Sequence, residues 1–585
     1  MASAPTRVRT PQSGSRALAI IAAIGFTLPI VAYFWFLHNY SLNVISRDQW
    51  DDVGLISHSY NGTLSLGTLW APHNENRIFF PNLIVLLLSR LTHFNIVFEE
   101  YVSGVMLVAA TGLIIYAHKR RSPSTPWIAY CPIAILLFSF VQYANTLWGF
   151  QLCWYLVLLS LAVVIVLLDQ PTLTGLAFTG AAAAAILGSF SLLQGLLIWP
   201  VGLVLLYSRR RPKNFVLIWI GCAVAAGVVY FSGQHVSSTD PYLAVRHPMA
   251  ALKFFFSAIG DVVGANLSSQ GSAAVLIFGV LIFVVALHVL VFFGFRRDES
   301  SGTPIGIALI CFGLLFAALI TDGRISFGLE GAGVSRYTTF DLLILVGCYM
   351  ALLNRPPLGM RADESITDSA AGDLTSEPMT GSRSTHAAPK LWIARGVVVA
   401  AICVQLAVGI NTGLAGGRSD YAGQVQDARV VVNMRKASDS LLVLTGSFLQ
   451  PANQIRQLAQ VAASHRLSIF NNSGLIAQYA KEGLPGETTP RTAVIYPPNG
   501  SKVKGTQALF ASASGEFGLS SVQFEITGGH LRGFLIGTAT NSGYGWYQAW
   551  NTTSVPDGTY LLQSIAYGAT GKIGRSTGIT VRVAN

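Results

Sequence analysis

Apolar runs about as long as a membrane is thick recur along this chain, and no other feature limits its fold so severely. They lie near residues 17–38, 101–117, 126–141, 152–168, 173–188, 192–208, 214–232, 273–295, 304–320, 338–354 and 391–411. Short polar loops separate them. The hydrocarbon core of a bilayer takes about 20 helical residues, so the pattern predicts an α-helical polytopic membrane domain with about 11 transmembrane helices. Composition agrees: with 52% hydrophobic and 11% charged residues, the 585-residue chain has too little polar surface to cover a soluble core. The net charge of +11 sits in small basic clusters between the runs. That pattern argues for membrane lipid, and against nucleic acid, as the partner. All six cysteines fall inside apolar segments, so neither a disulfide framework nor a thiolate metal site is expected.

Arg16, Lys119 to Arg121, Arg209 to Arg211 with Lys213, Arg296, Arg297 and Arg355 all fall on one side of this arrangement. Basic loops stay inside, so that side is the cytoplasmic one and the N-terminus lies in the cytoplasm. Arg7, Arg9 and Arg16 precede an apolar run with no small-residue cleavage motif, which reads as an uncleaved first helix. The stretch from Phe79 to Leu91 is too short to span comfortably and is expected as an interfacial or re-entrant helix on the outer surface, entered through Pro81. Residues 173–207 need two short helices, with GSFSLLQG (Gly188 to Gly195) as their outer turn. The domain reading is a cytoplasmic N-terminus (1–16), a membrane domain (17–354), a polar cytoplasmic linker (355–390), a last transmembrane helix (391–411), an extracytoplasmic helical connector (412–488) and a β-rich domain (489–585).

Polar residues then collect in four outer segments. The first opens SRDQWDD, with Asp48, Asp51 and Asp52 just beyond the first helix, and closes HNENR, with His73, Glu75 and Arg77 before the interfacial helix. Carboxylates with histidine and arginine at a membrane surface suit a general base, a divalent-cation site or a grip on sugar hydroxyls. A solvated loop with acidic helix caps would present the same residues. Trp148 and Gln151 in LWGFQ, and Gln194 in the outer turn, are sugar-pocket candidates, because an indole face packs on sugar C–H groups and an amide binds hydroxyls. Arg324, Arg336 and Tyr337 lie in the last short outer loop, where a guanidinium fork suits a lipid phosphate. Arg246, His247 and Lys253 read as headgroup anchors on an amphipathic surface helix. His288 and Asp341 lie in apolar segments and receive no role.

Taken in order, SRDQWDD, HNENRIFFPN, NTLWGFQ, GSFSLLQG and GRISFGLEGAGVSRYTTF resemble bacterial membrane proteins related to glycosyltransferases of the GT-C fold class, over residues 17–354. The resemblance implies a catalytic acid in the first outer loop, here among Asp48, Asp51 and Asp52. It implies a polyprenyl-phosphate-linked sugar donor, an envelope glycan or lipid acceptor, and a place in the bacterial cytoplasmic (inner) membrane. No cofactor is certain; a divalent cation is compatible with these carboxylates, but no metal-ligand pattern extends beyond them and His73. A transporter or flippase of lipid-linked glycans and a non-catalytic envelope scaffold are the alternatives.

From Thr489 the hydrophobic period changes to two. TAVIYP, QALFASAS, SVQFEIT, FLIGTAT, GWYQAW, YLLQSIAY and GITVRV are separated by Gly, Pro and Asn turns, which predicts a seven-strand antiparallel sandwich. GWYQAWNTTSVPDGTYLLQSIAYGATG resembles bacterial immunoglobulin-like domains. Without a Cys pair, its core must rest on Phe524, Trp546, Trp550 and Tyr560.

Overall fold

The computed structural model describes residues 12–233, 243–263, 272–294, 302–327, 329–353, 387–446, 450–486, 489–515, 518–542, 545–568 and 571–585. Most of the expected linker, residues 355–386, lies outside them, as do Arg296 and Arg297. The chain forms two compact units. One comprises residues 1–41, 65–84 and 97–420, and the other residues 42–64, 85–96 and 421–585. This division departs from chain order. The polar stretch 42–64, expected to belong to the membrane domain, packs with the connector.

Within the first unit the expected crossings are helical except 126–141, which breaks into the 3-10 turn Trp127–Tyr130, the helix Cys131–Leu137 and the 3-10 turn Phe140–Gln142. Among the described residues eight helices are long and apolar enough to cross a membrane, while Gly175–Ser189, Leu193–Ser208 and Thr338–Leu352 are shorter. Burial follows composition inside out: Leu28 and Leu217 are 63% and 67% exposed on apolar helices, whereas polar Asp169 and Thr338 are sealed inside. Such an inverted surface has lipid as its natural solvent. Helices in lipid gain little from apolar contact alone and rely on close backbone approach at small residues. Thr303–Arg324 and Thr338–Leu352 meet in this way, with Gly306 and Gly347 so close that a Cβ on either would fall 2.5 Å from the other's carbonyl oxygen.

The GSFSLLQG motif makes the same use of glycine. Gly188 ends one short helix, Gly195 lies in the 3-10 turn that begins the next, and a Cβ on Gly195 would overlap the Gly188 carbonyl. Trp199 Nε1 donates to Ser189 Oγ at 2.9 Å and Trp219 Nε1 donates to Trp199 O at 2.8 Å, fixing the neighbouring helices. Gly195→Ala is therefore expected to cost about 3 kcal/mol through overpacking, read as a lower melting temperature in nanodiscs. An unchanged melting temperature would mean that the turn opens freely.

The second unit contains the β domain. Its strands are β1 (Arg491–Tyr496), β2 (Ser501–Val503), β3 (Thr506–Ser514), β4 (Leu519–Gly528), β5 (Leu531–Ser542), β6 (Gly545–Asn551), β7 (Gly558–Gly568), β8 (Ile573–Arg575) and β9 (Ile579–Val583). All seven expected strands are present. β2 and β8 are additional, each three residues long and too short to display an alternation, and β2 runs parallel to β9 rather than antiparallel. β5 pairs with β4 along most of its length and with β6 at its end, so it turns the corner between the two sheets. Leu509, Val522, Phe524, Trp550, Tyr560 and Val581 from both sheets share one core. Trp546 packs at its margin.

Candidate functional site

In the first unit, four motifs widely separated in sequence are drawn together. HNEN is a tight turn: His73 and Asn76 exchange backbone hydrogen bonds at 2.8 and 2.9 Å, and Asn74 takes the left-handed conformation at φ 52°. From this turn Asn76 Oδ1 accepts the Leu193 N–H at 3.0 Å, reaching GSFSLLQG. The His73 ring lies 5.0 Å from Phe150, which stacks at 5.7 Å on Trp148, reaching LWGFQ. Glu75 forms an ion pair with Arg324 of the GRISFGLEGAGVSRYTTF motif, and both side chains are about one-third exposed.

The LWGFQ segment is itself tied to the second half of that last motif. Asn145 Nδ2 donates to Arg336 O at 2.8 Å and to Thr339 Oγ1 at 2.7 Å; Thr339 in turn donates to Gln142 Oε1 at 2.8 Å. Ser335 Oγ accepts the Ala144 N–H at 3.1 Å. These bonds are possible because the 127–151 region is not one continuous helix. It breaks into short helical and 3-10 turns at Phe138 and Leu147, which bring polar side chains into the bundle.

The individual candidates fall into different roles. Arg77 is 3% exposed, and its guanidinium donates to the carbonyls of Tyr230 (2.6 Å), Trp70 (2.7 Å) and Ser232. It caps the C-terminus of the Lys213–Phe231 helix and has little left to offer a substrate. Tyr337 is buried against Trp154 and Phe316, a core position rather than a pocket wall. Gln151 and Trp148 are also buried. Gln194 is half-buried, with its Oε1 free of hydrogen bonds. Arg336 is half-buried with its guanidinium 5.5 Å from the Tyr337 ring, and among the described residues it makes no side-chain hydrogen bond or ion pair. Tyr230, whose hydroxyl donates to Glu75 O at 3.1 Å, gave no sign in the sequence beyond standing at the end of an apolar run.

The aspartates belong to the second unit. Asp48 is the N-cap of the Gln49–Tyr60 helix, with Asp51 and Asp52 in its first turn, where the helix dipole favours negative charge. Trp50 Nε1 donates to Thr445 O at 3.0 Å, and the Arg47 N–H to the same carbonyl at 2.6 Å. Gln450 donates to Asp51, and Gly54 lies against Leu458 of the Ala452–Ser464 helix. Asp52 is buried, whereas Asp48 and Asp51 are half-buried. Among the described residues no three His, Cys, Asp or Glu side chains converge to hold a metal ion.

Arg246 and Lys253 were expected on a surface helix, which fits only in part. The Pro248–Gly260 helix exposes Met249 and Lys253 but buries its second half, from Ser257 to Gly260.

The fold defines a membrane protein carrying a C-terminal bacterial immunoglobulin-like domain. Residues 490–563 match the family described as Bacterial Ig domain. No curated protein matches the chain. Two solved structures are similar over part of it. An endo-beta-1,4-mannanase from Thermotoga petrophila is 21% identical, covering 23% of this chain and 24% of that one, with a TM-score of 0.14. An engineered protein is 18% identical, covering 22% and 27%, with a TM-score of 0.13. The chain thus spans about a quarter of the length of each.

Proposed function

We propose that this protein is a membrane glycosyltransferase of the GT-C fold class that uses a polyprenyl-phosphate-linked sugar. In this reading the N-terminus lies in the cytoplasm, the motif-bearing loops face outward from the bacterial cytoplasmic membrane, and the acceptor is an envelope glycan or lipid. The observation that carries it is the gathering of HNEN, LWGFQ, GSFSLLQG and the Arg324–Tyr337 loop in one unit, with one arginine paired with Glu75 and another, Arg336, without an ion pair among the described residues. The resemblance to glycosyltransferases of the GT-C fold class assigns the proton-accepting role to one carboxylate among Asp48, Asp51 and Asp52, which belong to the second unit. The acceptor oxygen attacks the anomeric carbon as its bond to the phosphate oxygen breaks, and polyprenyl phosphate leaves with the electron pair. Arg336 meets the phosphate's charge, while Gln194 and His73 face the sugar. The immunoglobulin-like domain engages the envelope glycan or the acceptor.

A second reading, a transporter or flippase of lipid-linked glycans, draws on the broken 127–151 segment, since discontinuous helices line substrate paths in transporters. One experiment separates the two. Protein in nanodiscs is given a panel of polyprenyl-phosphate sugars with envelope acceptor fractions, and products are followed by mass spectrometry. The expected products are glycosylated acceptor and free polyprenyl phosphate, both lost in at least one of Asp48→Asn, Asp51→Asn and Asp52→Asn. No transfer from any donor, with all three variants behaving as wild type in cells, ends the proposal. Donor that crosses a vesicle membrane intact favours the transporter.

A further inference from the structure

Asp341 lies in the first turn of the Thr338–Leu352 helix, 1% exposed, and neither carboxyl oxygen has a hydrogen-bond partner. A carboxylate left in this state inside an apolar bundle is among the costliest arrangements a membrane protein can hold. A second buried acid, Asp261, 2% exposed, lies in the 3-10 turn Asp261–Val263 that extends the Pro248–Gly260 helix and packs on the Thr338–Leu352 helix.

A third polar group belongs to the same place. Ser257 stands one turn before Asp261, and its carbonyl accepts the Asp261 N–H, so the two side chains share a helix face. Ser257 is fully buried, and its hydroxyl has no partner. Thr111, Ser160, Ser189 and Thr321 each return their hydroxyl to the carbonyl four residues earlier, whereas Ser257, like Ser41 and Ser103, does not. Ser257 thus stands on the Asp261 face of its helix with its hydroxyl unbonded.

Among the described residues no cation pairs with these acids: Lys253 on the same helix, Arg246 on the preceding turn, His288 on Ser272–Phe293, Arg324 on Thr303–Arg324 and Arg336 before Asp341 form no ion pair with either, and neither does the other nearby acid, Asp322, bond to Asp341. Cys311 and Cys348, on the two helices that pack together there, are equally uninvolved. Two buried carboxyls on elements that pack against each other cost least when a proton removes their charge.

We propose that Asp261 and Asp341, with the Ser257 hydroxyl, form a buried proton-binding pair that seats the Pro248–Gly260 helix against the Thr338–Leu352 helix only while the proton is bound. The site takes a proton rather than a metal, because two carboxyls and one hydroxyl supply too few ligands for a divalent ion. The inference does not depend on the transferase reading. Burial holds the Asp261 carboxyl well above the usual carboxylate range. A group raised in this way binds its proton more tightly in the folded than in the unfolded state. Its stabilisation is complete below the unfolded value, about 3.9, and is lost as pH rises toward and through the folded value.

The test uses the full chain in nanodiscs. Wild-type protein should melt at progressively lower temperature as pH is raised from about 5 to about 9, by roughly 3 °C or more. Asp261→Asn/Asp341→Asn, which mimics the protonated pair, should lose that slope and melt at least as high as wild type at the alkaline end. Infrared spectroscopy gives a measure that does not depend on melting: wild type at neutral pH should carry a protonated-carboxyl C=O band that Asp341→Asn diminishes. A slope that persists in the double variant, or the absence of that band, overturns the proposal. So does a melting temperature that rises at constant pH with added sodium, magnesium or calcium in wild type but not in the double variant, because the pair would then be a cation site.

Discussion

Arg336→Gln is expected to slow sugar transfer by roughly 10²- to 10³-fold, the usual cost of removing one preorganised donor to a developing charge. The effect is assigned to Arg336 rather than Arg324 because the two arginines are in different states. Arg324 already faces the Glu75 carboxylate, while Arg336 keeps its guanidinium over the Tyr337 ring without an ion pair. A departing phosphate gains most from a cation not already satisfied. Arg336→Lys, which keeps the charge but loses the planar fork, should fall between wild type and glutamine. Melting temperature should move little, because the contacts that tie this segment to Asn145 run through the Arg336 carbonyl and the Thr339 hydroxyl, not through the guanidinium. Wild-type turnover in Arg336→Gln would remove this residue from the phosphate-binding role.

The largest stability effect is expected at Asp169. This carboxylate is wholly buried between Arg121, whose Nε donates at 2.7 and 2.9 Å, and Arg209, whose Nε and Nη2 each donate at 3.1 Å, with Arg120 at 3.6 Å. The cluster joins the C-terminal ends of Ile96–Arg121, Leu152–Leu168 and Ile198–Ser208, where cations also answer the helix dipoles. Asp169→Ala leaves the fully buried Arg121 without its counter-ion, and removing one partner of such a pair costs about 3–5 kcal/mol. The expected readout is a sharply lower melting temperature and poor recovery from membranes. Asp169→Ala combined with Arg121→Met should regain part of the loss, since the stranded charge rather than the missing contact dominates the cost. A single variant that melts like wild type would show water reaching the cluster.

This cluster also marks where reading the sequence stops. Lys119 to Arg121 and Arg209 to Arg211 stand out in the sequence as basic clusters at the ends of apolar runs, because hydropathy and charge are properties of short segments. That Asp169 would draw them into one network was not legible, because it depends on three helix ends meeting. Arg77 is a similar case. Its neighbours HNEN made it look like a ligand, yet its guanidinium closes the end of a helix that begins more than a hundred residues later.

The candidate site divides in the same way. The motifs could be picked out one by one, since polar residues between apolar runs stand out. Their joining through His73 to Phe150 and Asn145 to Thr339 needed the break in the 127–151 segment, which an average of hydropathy over that stretch conceals.

Amino-acid order alone determined that the chain holds a set of apolar helices and a β domain of alternating strands, because one feature depends on local length and the other on a local period of two. Tertiary structure decided which polar groups meet. It gave Glu75 its arginine and Asp169 its three, left Arg336 without an ion pair among the described residues, and buried Asp341 in a helix packed against the Asp261 turn. The reason is physical: lipid-facing surface is fixed residue by residue, whereas an ionisable group buried in a bundle owes its charge and its partner to helices distant in sequence.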